Sequence, residues 1–135
     1  MQYKKAQVSI EYLVIMGFVV FVLIGILGAS FLYTGTIKDK IKMDQVIYFS
    51  NKVISTAETV FYSGSPSKST IFGYLPEGVK EIEIKENSLI LTVQTNHGIA
   101  KMAFSSNVPI SGNITQFQGL RKIKIEAKEN QVEIS

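Results

Sequence analysis

The residue types and spacings that could do chemistry gather at the front of the chain. Lys4 and Lys5 precede Ala6, then comes Gln7-Val8-Ser9-Ile10-Glu11-Tyr12, and after Glu11 no charged residue occurs until Lys38. An acid at the border of an apolar run is costly, about 2.5–3.5 kcal/mol at a bilayer's centre and less near its interface. Glu11 therefore calls for a positive partner, and the segment offers none after Lys5. A cut between Ala6 and Gln7 would create one, a new α-amino group with Glu11 as the fifth residue from it. In a parallel bundle of staggered copies, that acid could pair with the N-terminal amine of the next copy. A desolvated pair of this kind sets axial register as well as adding attraction.

The remainder of the chain is poor in chemistry. His97 is the only histidine and there is no cysteine, so no Ser-His-Asp, Cys-His or His-rich metal constellation can be assembled. No glycine cluster follows a strand and opens a helix with a lysine, as a phosphate loop requires. The expectation is no enzymatic activity, no metal and no cofactor. His97, in Asn96-His97-Gly98, reads as a solvated turn residue. Asn113-Ile114-Thr115 is an N-glycosylation sequon in a loop containing Gly112, used if the domain is exported and otherwise a chance triplet. The formal charge of +3 is spread along the chain among acids, which argues against nucleic acid as a partner.

The element that positions the front residues is Tyr12 to Leu32, 21 residues of nearly unbroken apolar character. As an α-helix rising about 1.5 Å per residue it matches a bilayer's hydrocarbon core. Gly25 and Ala29 give a small-xxx-small spacing, with Gly17 and Gly28 nearby, that either lets helices approach closely or reflects the frequency of glycine in membrane helices. Three readings compete. A secretory signal peptide would be cut near Gly28-Ala29-Ser30, but the apolar run is long for one. A plain single-pass anchor would be oriented by Lys4 and Lys5 on the cytoplasmic side. Neither accounts for Glu11; the third reading, a cut helix that assembles, does.

Gln7-Val8-Ser9-Ile10-Glu11-Tyr12-Leu13 resembles the class III signal peptide of archaeal type IV pilins, in which a glutamine is followed by a serine two on and a glutamate two further on. The resemblance implies a prepilin peptidase that cuts after Ala6, with Lys4 and Lys5 as the basic leader and Gln7 as the new N-terminus. Ala6 stands where the family also commonly has glycine, another small residue. Glu11 matches the family's acid at the fifth position, so Gln7 and Glu11 become the register pair, and Lys4, Lys5, Gln7, Ser9 and Glu11 the processing motif. With the leader gone, 14 basic residues fall to 12 against 11 acidic ones. The family further implies an assembly ATPase, a membrane platform protein and a homo-oligomeric filament, with the subunit held in the cell membrane before assembly and in a surface fibre after it.

From Thr36 to Phe61 the pattern turns amphipathic. Ile37, Ile41, Val46, Ile47, Val53, Ile54, Ala57, Val60 and Phe61 recur at helical spacing, with Lys38, Asp39, Lys42, Asp44, Lys52 and Glu58 between them. One helix from Gln7 to about Phe61 is expected, the alternative being a break at Gly35. Gly64 and Pro66 end it. The period then becomes two: Ile82 and Ile84 alternate with Val79, Glu81 and Glu83, and Leu89, Leu91 and Val93 alternate with Thr92 and Gln94. Ala100, Met102 and Phe104 follow, with turns at Glu86-Asn87-Ser88 and Asn96-His97-Gly98. Pro109 and Gly112 mark a loop, and Leu120–Ala127 with Val132–Ile134 closes as a hairpin.

The fold class is therefore α+β: a long N-terminal hydrophobic helix followed by a small antiparallel β-sheet domain lying on it. The divisions are a leader at 1–6, a hydrophobic assembly helix at 7–35, its amphipathic continuation at 36–63 and the β domain at 70–135. Glu81 and Glu83 on one strand and Lys122 and Lys124 on another suggest that those two strands are neighbours, the alternative being two ordinary hairpins with similar turns. The expected function is that of a structural subunit in an adhesive surface filament. A minor subunit that primes or tips the fibre, or a single-pass surface-binding protein, is the alternative.

Overall fold

In the computed structural model the backbone is described from Gln2 and side chains from Gln7 to Ser135; the leader residues Lys4, Lys5 and Ala6 lie outside the described side chains. The first element is α1, Gln2–Tyr62, a single α-helix that passes Gly35 without a break. Seven strands follow: β1 Lys68–Leu75, β2 Val79–Lys85, β3 Ser88–Thr95, β4 Gly98–Ser105, β5 Ile110–Gly112, β6 Gly119–Ala127 and β7 Val132–Ile134. The α+β layout read from the sequence is the observed one. The chain divides into two compact units, Met1–Lys38 and Asp39–Ser135.

α1 continues through the amphipathic stretch because nothing there stops it. It ends where Ser63 and Gly64 donate their backbone N–H groups back to the carbonyls of Thr59 and Phe61, with Gly64 at φ 81°. That left-handed conformation suits glycine, which has no Cβ to clash.

The strands form two sheets rather than the single one expected. One has the order β1-β6-β7-β5 and the other β2-β3-β4. β5 pairs in parallel with β7, whereas the other pairings are antiparallel. The loop around Pro109 thus contains a short strand, Ile110–Gly112, that alternation could not reveal over three residues. Close approach fixes Gly112: a Cβ there would run into the carbonyl of Ile134.

β2 lies beside β3, and β6 between β1 and β7, so the strands bearing Glu81/Glu83 and Lys122/Lys124 are not neighbours. Short turns make the sequentially adjacent pairing β2–β3 cheaper in loop entropy than a long-range one. Glu86 and Asn87 both take positive φ, 49° and 61°, as a two-residue hairpin turn requires. A register shift between Val79 and Glu81 turns Val79 inward, where it is buried, instead of outward with Glu81 and Glu83.

The core belongs to the unit Asp39–Ser135. Val46, Phe49, Ser50, Val53, Ala57 and Val60 make one buried stripe on α1. Leu75, Ile123, Ile125 and Ile134 of one sheet and Ile82, Leu89, Leu91 and Val93 of the other join it in one apolar cluster. Ile37, Ile41 and Ile47, expected on the buried stripe, are exposed. They fall off the face that repeats through Val46, Phe49, Val53, Ala57 and Val60, since only residues three, four or seven apart share a helix face. Phe49 sits edge-on to Phe117 with ring centroids 6.0 Å apart. Its ring occupies the space a side chain at Gly73 would need.

Candidate functional site

Residues 7–38, the side chains of the first unit, have an arrangement opposite to a core. Every side chain from Gln7 to Thr34 is exposed. Phe18, Phe21 and Phe31 keep 67%, 73% and 81% of their surface, values that inside a folded protein belong to lysines. The helix is apolar on all sides, with a mean hydropathy of 2.7 over its most apolar window. A helix of that kind is buried in lipid or among other helices. Burying each large side chain is worth about 1.5–3 kcal/mol, so the solvent-exposed state is strongly unfavourable. The helix is long and apolar enough to cross a membrane, and the protein is accordingly membrane-associated through it.

Two hydroxyls in this stretch are satisfied locally. Ser30 Oγ donates to the Ile26 carbonyl and Thr34 Oγ1 to the Ser30 carbonyl, both at 2.9 Å. Such back-bonding lets hydroxyls enter an apolar medium without an unpaired donor. Glycines 17, 25 and 28 would each accept a Cβ without meeting another atom of the chain. No intrachain packing therefore explains their small size.

Gln7, Ser9 and Glu11 are exposed on the first described turns, and Gln7 is the first residue whose side chain is described. Lys4, Lys5 and Ala6, the remaining residues of the processing motif and cleavage site, fall before it. On α1 Gln7 and Glu11, four residues apart, share a face, and Ser9 lies on the opposite one.

The second unit holds the polar contacts that attach the lower half of α1 to its strands. Asp39, 8% exposed, accepts from the Asn96 backbone N–H at 3.0 and 3.2 Å, and its Oδ2 lies 3.2 Å from His97 Nδ1. His97 is a solvated turn residue as expected, with 76% of its side chain exposed. The contact from Asp39 was not legible, because a single acid among Lys38, Lys40 and Lys42 carries no sequence signal. Glu58 Oε1 accepts from Asn107 N and Nδ2 at 3.0 and 2.9 Å. Lys52 Nζ donates to the Phe72 carbonyl at 3.1 Å, which caps a free backbone group on the edge strand β1.

Two surface features complete the inventory. Asn113 and Thr115 of the sequon are exposed while Ile114 between them is buried, so the acceptor amide points to solvent. A shallow groove lined by Ile41, Asp44, Gln45, Tyr48 and Tyr74 runs between α1 and β1. Among the described residues no group of histidine, cysteine or acid side chains is arranged to hold a metal ion. Comparison with protein-family models, with curated proteins and with solved structures finds no match for this chain.

Proposed function

We propose that this chain is the precursor of a filament subunit of the type IV pilin kind, with an archaeal class III signal peptide. A prepilin peptidase removes residues 1–6, and the helix from Gln7 leaves the membrane to join a bundle of copies. One observation carries the reading: within one continuous helix, the Gln7-Val8-Ser9-Ile10-Glu11 segment is followed immediately by a stretch that is apolar all round and fully exposed in the single chain. Lipid can cover such a helix, and so can neighbouring copies, and only the second use gives Glu11 a partner in the Gln7 amine. The β domain faces solvent and supplies the fibre's adhesive surface, with Asn113 available for a glycan. An assembly ATPase and a membrane platform protein are the partners this role requires. The role is structural, not enzymatic, and involves no nucleic acid. A minor subunit that primes or tips the fibre uses the same helix and is a variant of the same reading.

The test is the intact mass and N-terminal sequence of the protein sheared from the cell surface. A chain beginning at Gln7 in sedimentable fibres is the expected result. Met1 at the N-terminus, in membranes only, would replace the filament with the simple single-pass anchor. A start near Phe31 in the medium would mean a secretory signal peptide. Glu11→Ala separates the first two further: the subunit should stay in the membrane uncoupled from fibres, whereas an anchor should tolerate the change.

A further inference from the structure

The second unit fastens one turn to the first residues of its own stretch of helix. Asp39, 8% exposed, takes the Asn96 backbone N–H on both carboxylate oxygens, at 3.2 and 3.0 Å, and its Oδ2 lies 3.2 Å from His97 Nδ1. Farther along α1, Glu58 holds Asn107, just after β4. β4 therefore runs alongside this stretch of α1 in the same sense, with the β3–β4 turn at the end nearer Asp39. Ser67, which follows the end of α1, accepts from the Ala127 backbone N–H, so the β6–β7 turn lies at the opposite end.

Asp39 stands seven positions after Leu32, the last residue of the apolar run. Along α1 that is a rise of about 10 Å, and even a fully extended chain of that length would reach only about 25 Å. A bilayer's headgroup layer adds about 5–7.5 Å to each side of its hydrocarbon core. A turn fastened at Asp39 is thus within reach of the headgroups of whichever leaflet the helix leaves. Its residues suit that place. Asn96, His97 and Gly98 are exposed, and Ile99 keeps 69% of its surface, an apolar side chain the fold leaves uncovered. The charges open to solvent at this level are Lys38, Lys40, Lys42 and Lys80 against Asp44 and Glu77, since Asp39 is turned inward. No ion pair of the described residues engages Lys40, Lys42 or Lys80.

We infer that the β3–β4 turn rests on the lipid headgroup layer, with Ile99 at the interface and Lys38 and Lys40 on the headgroup phosphates, and that the Asp39 contact fixes the turn at that height. The excess of lysine favours a bilayer rich in anionic headgroups, whose attraction acts over about 10 Å at 0.1 M salt. The inference rests only on the membrane association of the apolar helix. It therefore holds for a filament subunit before assembly and for a simple anchor alike.

The chain has no cysteine, so a single introduced and labelled cysteine reports alone. Full-length Ile99→Cys and, as a control in the β6–β7 turn, Asn130→Cys carry a polarity-sensitive fluorophore. Each is reconstituted in phosphatidylcholine vesicles with and without phosphatidylglycerol, with a lipid bearing a nitroxide on its headgroup as quencher. The label at position 99 should be quenched several-fold more than the label at position 130, and more strongly with phosphatidylglycerol present. Lys38→Glu with Lys40→Glu should remove most of that gain. Equal quenching at the two positions would overturn the inference, as would indifference to lipid charge and to the lysine substitutions. A label at position 99 that is shielded but unquenched, increasingly so at high protein-to-lipid ratio, would mean that a second copy covers the turn, and would overturn it too. The chains tested keep Met1, so a failure here leaves the filament reading untouched. A Met1 start in cell-surface material would sink that reading and leave this result standing.

Discussion

The two stretches of α1 are built from similar residues and meet opposite fates. Between Tyr12 and Leu32 valine, isoleucine, leucine and phenylalanine are spread around the whole circumference, and none is buried. Between Val46 and Val60 the same kinds of residue, Ile47 apart, keep to one side and are buried, Val46, Val53 and Ala57 completely. The difference lies in spacing and not in hydrophobicity. A stripe with polar residues between its members can be covered by the chain's own strands. A continuous apolar surface cannot be, because one small domain has too few faces to wrap a helix. The first stretch is therefore completed by other molecules, and the second by its own fold.

That contrast predicts opposite responses to the same substitution. Phe49→Ala should destabilise the β domain by about 3–5 kcal/mol, the cost of losing a fully buried aromatic side chain. Phe21→Ala, on the exposed stretch, should leave thermal unfolding of that domain unchanged. Full-length protein in detergent, followed by circular dichroism of the strands, makes the comparison. Equal losses for both would break it, since they would place Phe21 in the domain's core.

A smaller effect sharpens the point at one contact. Gly73→Ala should cost about 1–3 kcal/mol, because its Cβ meets the Phe49 ring in a packed interior. Phe49→Leu in the same chain should recover part of that loss. A double-mutant cycle reads the coupling, and simple additivity would show that the ring does not fill the space over Gly73. Smaller still, Glu58→Ala should cost about 1 kcal/mol by removing the acceptor of two Asn107 bonds at the surface. Asn107→Ala, which leaves the backbone bond intact, should cost less than that; the reverse order would show that the side-chain bond dominates.

How much of this was legible in the sequence follows from the range of each signal. The helix, its end at Gly64 and the hairpin turns at Glu86-Asn87 and Asn96-His97 are local, set by residues within a few positions of one another. Phe49 carries no separate local signal, because Ile47 two residues before it is as apolar. Only the helical phase through Val46 and Val53 decides between them. The division into two sheets was missed because alternation says which residues face the core and nothing about which strand lies alongside. The rows at Glu81/Glu83 and Lys122/Lys124 are the instructive case. Their complementarity was visible, but sequence alone could not say that it has no intrachain use. The Gln7–Glu11 segment is read from resemblance and from the cost of Glu11, and the fold does not bear on that reading.

The least effect concerns the ions on the outer face of β6 and β7, at the end away from Leu120. Lys68 lies 3.1 Å from Glu126, and Lys128 lies 3.7 Å from Glu126 and 3.3 Å from Glu133. The hydrogen bond from Lys68 holds the Glu126 carboxyl below its ordinary value of 4.5, with the charge of Lys128 adding to it against a partial desolvation. A carboxyl depressed in the folded state stabilises it above the ordinary value, and that contribution disappears as pH falls through the lowered one. Lys128 moves the other way: the hydrogen bond to Glu133 and the charges of Glu126 and Glu133 raise it above 10.5. Its contribution is complete below that value and is lost as pH rises through the raised one. These groups are in water, where screening leaves such pairs little net worth. Acid titration should therefore shift the unfolding temperature far less than Phe49→Ala does. Carboxyl chemical shifts should nonetheless report a low Glu126 midpoint that climbs on Lys68→Ala and climbs less on Lys128→Ala. A midpoint indifferent to Lys68 would mean that the pair does not persist in solution. The domain would then be held by its buried stripe with no help from this ladder, widening the contrast with the helix that other molecules must cover.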